Sequence, residues 1–328
     1  MNRRTLLASL AGGAAIFAAH PRPVWAQASG AGGPGLLNLI TDVPGLQVGQ
    51  ADDPKARTGV TVILPDAGRA TCAVDVRGGG PGTRETDALN SWNLVHSVDA
   101  IVLSGGSIYG LASADGVAAW LGARKRGYGL STAPGVPVSP IVPAAILYDL
   151  ANKGDKNWGT NPPYRDLGMR AVEAASRNFT LGTAGAGYGA ESGALKGGIG
   201  SASFMTKDGI SVGAIVAVNS LGSPIVPGTK NFWSGPFEIG KEFGGLGASN
   251  AHVTGEDWGQ AKVNPGARTN TTIACIATDA DLDIDQLTMG QDYGMAIIVT
   301  ASASAEAIDG PGVQQTVNYK QLFVAGDG

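Results

Sequence analysis

The chain has 328 residues, of which 43 % are apolar and 15 % are charged, the composition of a soluble globular protein rather than of a disordered or fibrous one. Its 51 glycines are spread through apolar runs and follow no collagen or linker period. The formal net charge of −4 falls to −7 without residues 1–28, which hold three arginines and no acid, so a nucleic-acid-binding surface is disfavoured.

The first 28 residues have the pattern of an export signal. Arg3-Arg4 precede Leu6-Leu7, an apolar run covers residues 10–19, and Ala26-Gln27-Ala28 offers a small-residue cleavage site. The arginine pair favours the twin-arginine type over an ordinary secretory signal. The apolar run is shorter than the roughly 20 residues that span a bilayer, so no membrane anchor is predicted. The mature protein is expected to be periplasmic or secreted.

Strand-like and helix-like segments alternate along the rest of the chain. The helix-like segments are residues 85–94, 113–126, 168–175 and 284–293. The strand-like runs are residues 58–64, 71–76, 100–103, 213–218, 272–277 and 295–301, mostly bounded by Gly, Pro, Asp or Asn. This mixture predicts a layered α/β or α+β domain. The loop-rich stretch 221–247 is either a mobile surface loop near a site or an elaborated connection.

Two glycine-rich turns follow strand-like runs. The first, Arg77 to Glu85, lacks the G-x-G-x-x-G spacing and the P-loop ending, and Pro81 removes an amide that a phosphate would need. The second, Ser104-Gly105-Gly106-Ser107, is interpreted as a tight connection. The alternative is that these turns hold an anionic ligand, as in a periplasmic binding protein.

Familiar metal and serine-hydrolase patterns are missing from the mature sequence. Only His96 and His252 remain, without an H-x-x-x-H, C-x-x-C or G-x-S-x-G motif, so no metal site or cofactor is expected. Cys72 and Cys275 lie in apolar runs and are interpreted as buried packing residues, although an exported protein could also join them in a disulfide. A hydrolase built from this chain needs a base other than histidine.

An N-terminal nucleophile satisfies that need, because the α-amine of a terminal Ser or Thr acts as the base for its own hydroxyl. The unperturbed pKa of an α-amine, about 7.7–8.0, leaves an appreciable neutral fraction near pH 7. Such a residue begins inside a precursor, at the start of an apolar strand. Asn270-Thr271-Thr272-Ile273 fits this description. Any edge strand that begins with threonine would also match, so the pattern alone does not identify the nucleophile.

Several blocks in one order, over about residues 40 to 310, resemble the L-aminopeptidase/D-esterase family, which includes DmpA-like peptidases, β-peptidyl aminopeptidases and nylon-oligomer hydrolases. The blocks are Arg77-Gly78-Gly79-Gly80-Pro81-Gly82-Thr83-Arg84-Glu85-Thr86-Asp87, Val98-Asp99-Ala100-Ile101-Val102-Leu103-Ser104-Gly105-Gly106-Ser107, Pro140-Ile141-Val142-Pro143-Ala144-Ala145-Ile146-Leu147-Tyr148-Asp149, Gly185-Ala186-Gly187, Leu195-Lys196-Gly197-Gly198-Ile199-Gly200, Val216-Ala217-Val218-Asn219 and Ala277-Thr278-Asp279-Ala280.

The resemblance implies an α+β fold in the form of a four-layer αββα sandwich. It implies that residues 29–328 form one catalytic domain that cuts itself after Asn270 into subunits 29–270 and 271–328. Thr271 then becomes the N-terminal nucleophile of the smaller subunit. Members of the family assemble as homo-oligomers, commonly tetramers or larger.

The family's supporting residues carry over to named positions. Asn219 would donate an amide N–H to the oxyanion, and Tyr148 would reach the substrate carbonyl or oxyanion with its phenol. Lys196 would keep the α-amine neutral and donate hydrogen bonds. Asp309 is the best match for an acid that orients the nucleophile. Pro311 stands where a second acid is expected, so Glu306 and Asp279 remain alternatives.

The substrate class that the resemblance implies is a peptide or oligoamide. Many relatives have Gly-Ser at the cut, whereas Asn270-Thr271-Thr272 is similar to the nylon-hydrolase branch, so hydrolysis of 6-aminohexanoate oligomers and aminopeptidase activity both stay open. Acyl transfer onto an amine, as in ornithine acetyltransferases, is disfavoured by the Arg77 to Glu85 match and by the export signal. The alternative from another class is the small-ligand-binding protein, which would keep an intact mature chain.

Overall fold

A computed structural model describes residues 32–66, 68–77, 80–254, 257–262, 269–289 and 296–301. The predicted export signal, Glu306 and Asp309 lie outside these residues, as do Gly78 and Gly79 of the first glycine turn. None of the helices formed by the described residues has both the length and the apolar character needed to cross a bilayer.

The elements are numbered in chain order. The strands are β1 (Leu46–Asp53), β2 (Thr58–Pro65), β3 (Ala70–Thr71), β4 (Ala73–Arg77), β5 (Thr83–Arg84), β6 (Ser97–Val98), β7 (Ile101–Ser104), β8 (Ala144–Ile146), β9 (Glu191–Ser192), β10 (Leu195–Lys196), β11 (Gly198–Met205), β12 (Ser211–Asn219), β13 (Thr271–Thr278) and β14 (Ala296–Ala301). The helices are α1 (Ser113–Ala123), α2 (Tyr164–Glu173) and α3 (Ile284–Met289).

Two five-stranded sheets form the centre of the molecule. The first has the order β1-β2-β7-β8-β5 and the second has the order β11-β12-β13-β14-β4. Four consecutive strands of the second sheet, β11 to β14, are antiparallel neighbours, and β4 joins β14 in parallel. The connection from β12 to β13, which includes residues 221–247, therefore begins and ends at neighbouring positions at one end of these strands.

The main core lies between the two sheets. Ile63 of β2 belongs to one buried cluster with Ile215 of β12 and Ile273 of β13. All eight residues of β2 are buried, because the alternate residues Val60 and Val62 face a second cluster beneath the helices. Burial of one Ile or Val side chain stabilises the fold by about 1.5–3 kcal/mol, so a central strand that is apolar on both faces ties the layers together.

Helices α1 and α2 cover the outer face of the first sheet. They pack on each other at glycines, since a Cβ at Gly116 would collide with the carbonyl of Arg165 and one at Gly168 with the carbonyl of Ser113. The short helix α3 contacts β4 of the second sheet. The predicted α+β class is confirmed by this mixture of sheets and helices.

The helix predicted for residues 85–94 is wrong. Strand β5 ends at Arg84, and Glu85 adopts a left-handed backbone with φ of +58°. Only a 3-10 turn over Asp87–Leu89 follows, and Asn90 is extended. The left-handed residue breaks the repeating hydrogen bonds of a helix at its first turn, which overrides the apolar spacing of the segment.

The second glycine turn is a tight connection, as predicted. Gly106 has φ of +85°, and a Cβ there would collide with the ring of Tyr164. Its N–H donates to the buried carboxylate of Asp149 at 2.7 Å, and the Thr58 hydroxyl donates to the same carboxylate at 2.6 Å. Burial raises the pKa of Asp149. The turn thus binds a carboxyl group supplied by its own chain, and this geometry disfavours an external anion at Gly106.

Candidate active site

Asn219 and Thr271 lie side by side at the edge of the inter-sheet core. Strand β12 ends at Asn219, strand β13 begins at Thr271, and the two residues are direct partners in the antiparallel register. Alternate residues of a strand share one face of the sheet, so Asn219 lies on the same face as the core residue Ile215, and Thr271 lies on the same face as the core residue Ile273. Both side chains are therefore on the face that looks toward the first sheet, where Asn219 is 2 % and Thr271 is 8 % exposed.

Thr272 occupies the next position and belongs to the opposite face of the sheet. It is paired with Val218, one residue before Asn219. Since successive side chains of a strand alternate between faces, a hydroxyl at position 272 does not share the face of Asn219. The register therefore favours Thr271 over Thr272 as the hydroxyl beside the amide.

The carboxamide of Asn219 connects the two sheets beside Thr271. Its Nδ2 donates to the carbonyl of Tyr148, which follows β8 of the first sheet, at 2.9 Å and to the carbonyl of Thr269 at 2.8 Å. Its Oδ1 accepts from the N–H of Glu191 at 3.0 Å. Hydrogen bonds on both ends of a buried amide fix its orientation. Tyr148 thus contacts the site through its main chain, with its side chain half-buried.

Lys262 is a site residue that the sequence analysis did not find. Its Nζ donates to Asn270 Oδ1 at 3.0 Å, to Asn219 Oδ1 at 3.2 Å and to the Asn219 carbonyl at 3.4 Å. Burial lowers the pKa of Lys262 to about 8, against the opposing effect of the nearby Glu191 carboxylate. The one signal in the sequence was its position eight residues before Asn270, which does not by itself indicate contact.

Lys196 lies next to this site but on its exposed side. It is paired with Glu191 in the β9–β10 hairpin, and the N–H of that same glutamate binds Asn219. The Lys196 side chain is exposed. In the uncut chain, the ammonium that contacts Asn219 and Asn270 is therefore that of Lys262.

Asp279 is separated from Thr271 by the full length of β13. At about 3.3–3.4 Å per residue, a strand places these positions roughly 25 Å apart. The Asp279 carboxylate accepts instead from the N–H of Ser211, at the start of β12, at 2.7 Å. Asp279 is thus not an acid that orients Thr271, and the other two candidates, Asp309 and Glu306, lie outside the described residues.

The two cysteines are buried and free. Burial raises the pKa of Cys275 to about 12 and that of Cys72 well above its usual value, so both are protonated packing residues.

Within the described residues, no group of three or more His, Cys, Asp or Glu side chains could hold a metal ion. The chemistry that this site brings together is a hydroxyl, an oriented amide and a partly buried amine.

Residues 38–310 match the model of peptidase family S58. A protein of Mycobacterium tuberculosis described as an uncharacterized aminopeptidase is 45 % identical over 205 residues, which cover 60 % of this chain and 57 % of that protein. The chain thus spans little more than half the length of this relative. An uncharacterized aminopeptidase of Mycobacterium leprae is 39 % identical over 288 residues, 82 % of this chain and 76 % of that protein.

The fold is similar to that of a solved enzyme. The L-aminopeptidase D-Ala-esterase/amidase of Ochrobactrum anthropi, described as a variant of the Ntn hydrolase fold, aligns with a TM-score of 0.53 at 18 % identity. The alignment covers 82 % of this chain and 75 % of that one. At this identity the likeness concerns the fold alone.

Proposed function

The chain belongs to peptidase family S58, and on that premise we propose that it is an exported amide hydrolase that cuts its own chain between Asn270 and Thr271 and then uses Thr271 as an N-terminal nucleophile. The observation that carries this proposal is the pairing of Thr271 with Asn219 on the inner face of the second sheet. A hydroxyl and an oriented carboxamide are the nucleophile and the oxyanion donor that acyl transfer requires.

In the precursor, the Thr271 hydroxyl attacks the carbonyl carbon of Asn270. The C–N bond breaks as the acyl group moves from the Thr271 nitrogen to its oxygen, and the nitrogen takes up the proton that the hydroxyl has lost. Water then hydrolyses the ester, which leaves a carboxylate on Asn270 and a free α-amine on Thr271. The reaction thus creates the base that the mature enzyme uses.

In the mature enzyme, the Thr271 amine takes the proton from the Thr271 hydroxyl as the oxygen attacks a substrate amide. The leaving amine departs with that proton, and water hydrolyses the acyl-Thr271 ester. Asn219 and Tyr148 would stabilise the oxyanion, Lys196 would keep the α-amine neutral, and Asp309 would orient the nucleophile. The roles of these four residues follow from the family, and no cofactor takes part in them.

The substrate is a peptide or an oligoamide. The description of two relatives of this chain as aminopeptidases favours the removal of N-terminal residues. The Asn270-Thr271-Thr272 sequence favours linear 6-aminohexanoate oligomers as the second candidate. A product profile on an amino acid amide, a β-dipeptide and a nylon oligomer distinguishes them. Free N-terminal residues from the first two substrates support the aminopeptidase, and internal cleavage of the oligomer alone supports the second candidate.

Export and self-cleavage predict two fragments with defined ends. A denaturing gel of the protein produced with its signal should show a fragment that begins near residue 29 and ends at Asn270, and a second that begins at Thr271. N-terminal sequencing checks both starts. An active protein that stays in one piece would overturn the mechanism, and an inactive intact one that binds a small anion would support the binding-protein alternative.

The mature enzyme is proposed to be a homo-oligomer, a tetramer or larger. A formal charge of −7 on a chain of this size does not prevent closed association. Light scattering on the cut, active protein tests this, and a strictly monomeric active enzyme would contradict it.

A further inference from the structure

Lys262 contacts Asn270, the residue before the proposed cleavage site, and Asn219, the strand partner of Thr271. We propose that it is a positioning residue for self-cleavage, and that its ammonium group holds the side chains of Asn270 and Asn219 so that the Asn270–Thr271 peptide is presented to the Thr271 hydroxyl. This inference rests on the proposed cut after Asn270 and adds a residue to it.

The contacts of Lys262 match the donors of an ammonium group. The three protons on Nζ meet three oxygen acceptors at 3.0 to 3.4 Å, one on Asn270 and two on Asn219. Asn270 carries the carbonyl that is attacked, and Asn219 is the strand partner of the attacking residue. The ammonium group of Lys262 therefore links Asn270, which carries the carbonyl under attack, to Asn219, which lies beside the attacking Thr271.

The backbone places Lys262 at this position independently of its side chain. The N–H of Lys262 donates to the carbonyl of Leu221 at 2.9 Å, and the N–H of Ala194 donates to the carbonyl of Gln260 at 2.7 Å. Gly193 approaches that Gln260 carbonyl so closely that a Cβ would collide with it, and its φ is +59°. The part of the β12–β13 connection at Gln260 is thus fixed against the β9–β10 hairpin.

Restricting the scissile peptide raises the rate of the cut. An intramolecular attack depends on holding the reacting atoms in an attack geometry, and small displacements are costly. Hydrogen bonds from a charged donor are stronger than neutral ones, especially in a partly buried site. Loss of the ammonium should therefore slow cleavage, while the fold, which depends on the sheets and their core, remains.

Protonation of Lys262 sets the expected pH dependence. Glu191 of β9 faces Lys262 and favours its charged form. The other titratable residues nearby are Lys196, which is paired with Glu191, and Tyr148, whose carbonyl accepts a hydrogen bond from Asn219 Nδ2. With a pKa of about 8, Lys262 loses one of its three donors as the pH rises through that value. Arginine keeps its charge throughout this range.

The test follows cleavage of the full chain after cell-free synthesis. Translation is stopped, and the uncut fraction is measured on denaturing gels over time. Lys262→Met should cut about 10- to 100-fold more slowly than the wild type, the loss expected for hydrogen bonds from a charged group. Lys262→Arg should cut within a few-fold of the wild type. Lys207→Met, in the exposed turn between β11 and β12, is the matched control and should cut at the wild-type rate.

The pH profile of cleavage distinguishes a charged positioning group at residue 262 from a general base. The ratio of the wild-type rate constant to that of Lys262→Arg should fall as the pH rises through about 8. A ratio that rises there would overturn the proposal, because it would make the neutral amine the active form and Lys262 a base. The wild type and Lys262→Arg both carry a long basic side chain at position 262, so this comparison is valid even if Lys262→Met does not fold.

The outcomes distinguish this inference from the proposed function. A wild-type chain that is never cut before Thr271 contradicts the proposed function. A wild-type chain that is cut there, together with a Lys262→Met chain that is cut at the same rate, contradicts the role of Lys262 alone. Thermal unfolding of Thr271→Ala with and without Lys262→Met compares the two uncut folds, and a cleavage defect with matching unfolding temperatures supports positioning.

Discussion

Thr271→Ala is expected to leave the chain uncut and without amide hydrolase activity. The substitution removes the hydroxyl that we propose attacks Asn270, so the C–N bond before residue 271 should not be broken and the α-amine should not form. Loss of the Thr271 hydroxyl should thus abolish both the self-cleavage and the turnover of substrate. Denaturing gels and a peptide-amide hydrolysis assay measure the two losses, and we expect no cut chain and no product above the uncatalysed rate.

The neighbouring threonine provides the matched control. Thr272→Ala removes the same atoms one position later, on the face of the sheet opposite to Asn219. It should be cut and active, with at most a loss of stability, since Thr272 is buried. Thr271→Ser keeps a hydroxyl and should retain part of both reactions. If Thr272→Ala is uncut while Thr271→Ala is cut and active, the nucleophile lies one position later.

The strands at this site could be predicted from the sequence because their residues are β-branched and apolar. The runs predicted at residues 213–218 and 272–277 match β12 and β13 to within two residues at each end. The family resemblance, rather than this strand pattern alone, is the basis for naming Thr271 as the nucleophile. Strands β1 and β11 were not recognised. Their many Gln, Asp, Gly and Ser residues give no apolar pattern, and their places are determined by pairing with β2 and β12.

The cross-strand geometry of the site depends on register, which a single sequence does not reveal. Asn219 and Thr271 are 52 positions apart in the sequence, and only the pairing of β12 with β13 makes them neighbours. Lys262 was missed for a related reason. Its contacts depend on the path of a long connection that the β9–β10 hairpin holds in place through main-chain bonds. Local patterns do not describe such long-range constraints.

Replacement of Asn219 is expected to produce the second-largest loss of activity. Its Nδ2 donates to the carbonyls of Tyr148 and Thr269 in the uncut chain. The proposed cleavage after Asn270 would make the segment that includes Thr269 a new chain end, and departure of its carbonyl would free one N–H for the substrate oxyanion. Removal of one oxyanion donor lowers kcat by about 10²- to 10³-fold.

Asn219→Ala and Asn219→Asp together test whether the donor is what matters. Aspartate keeps the shape of the side chain and an oxygen that accepts from Glu191 and Lys262, but it has no N–H to offer the carbonyls or the oxyanion. Because both variants lack the donor, both should lose about 10²- to 10³-fold in kcat, measured on cut protein with a chromogenic amino acid amide. Both variants should also lower the unfolding temperature, since each leaves the partly buried Tyr148 carbonyl without this partner. An Asn219→Asp enzyme that turns over at the wild-type rate would show that the N–H groups of Asn219 are not needed for turnover, and that another group stabilises the oxyanion.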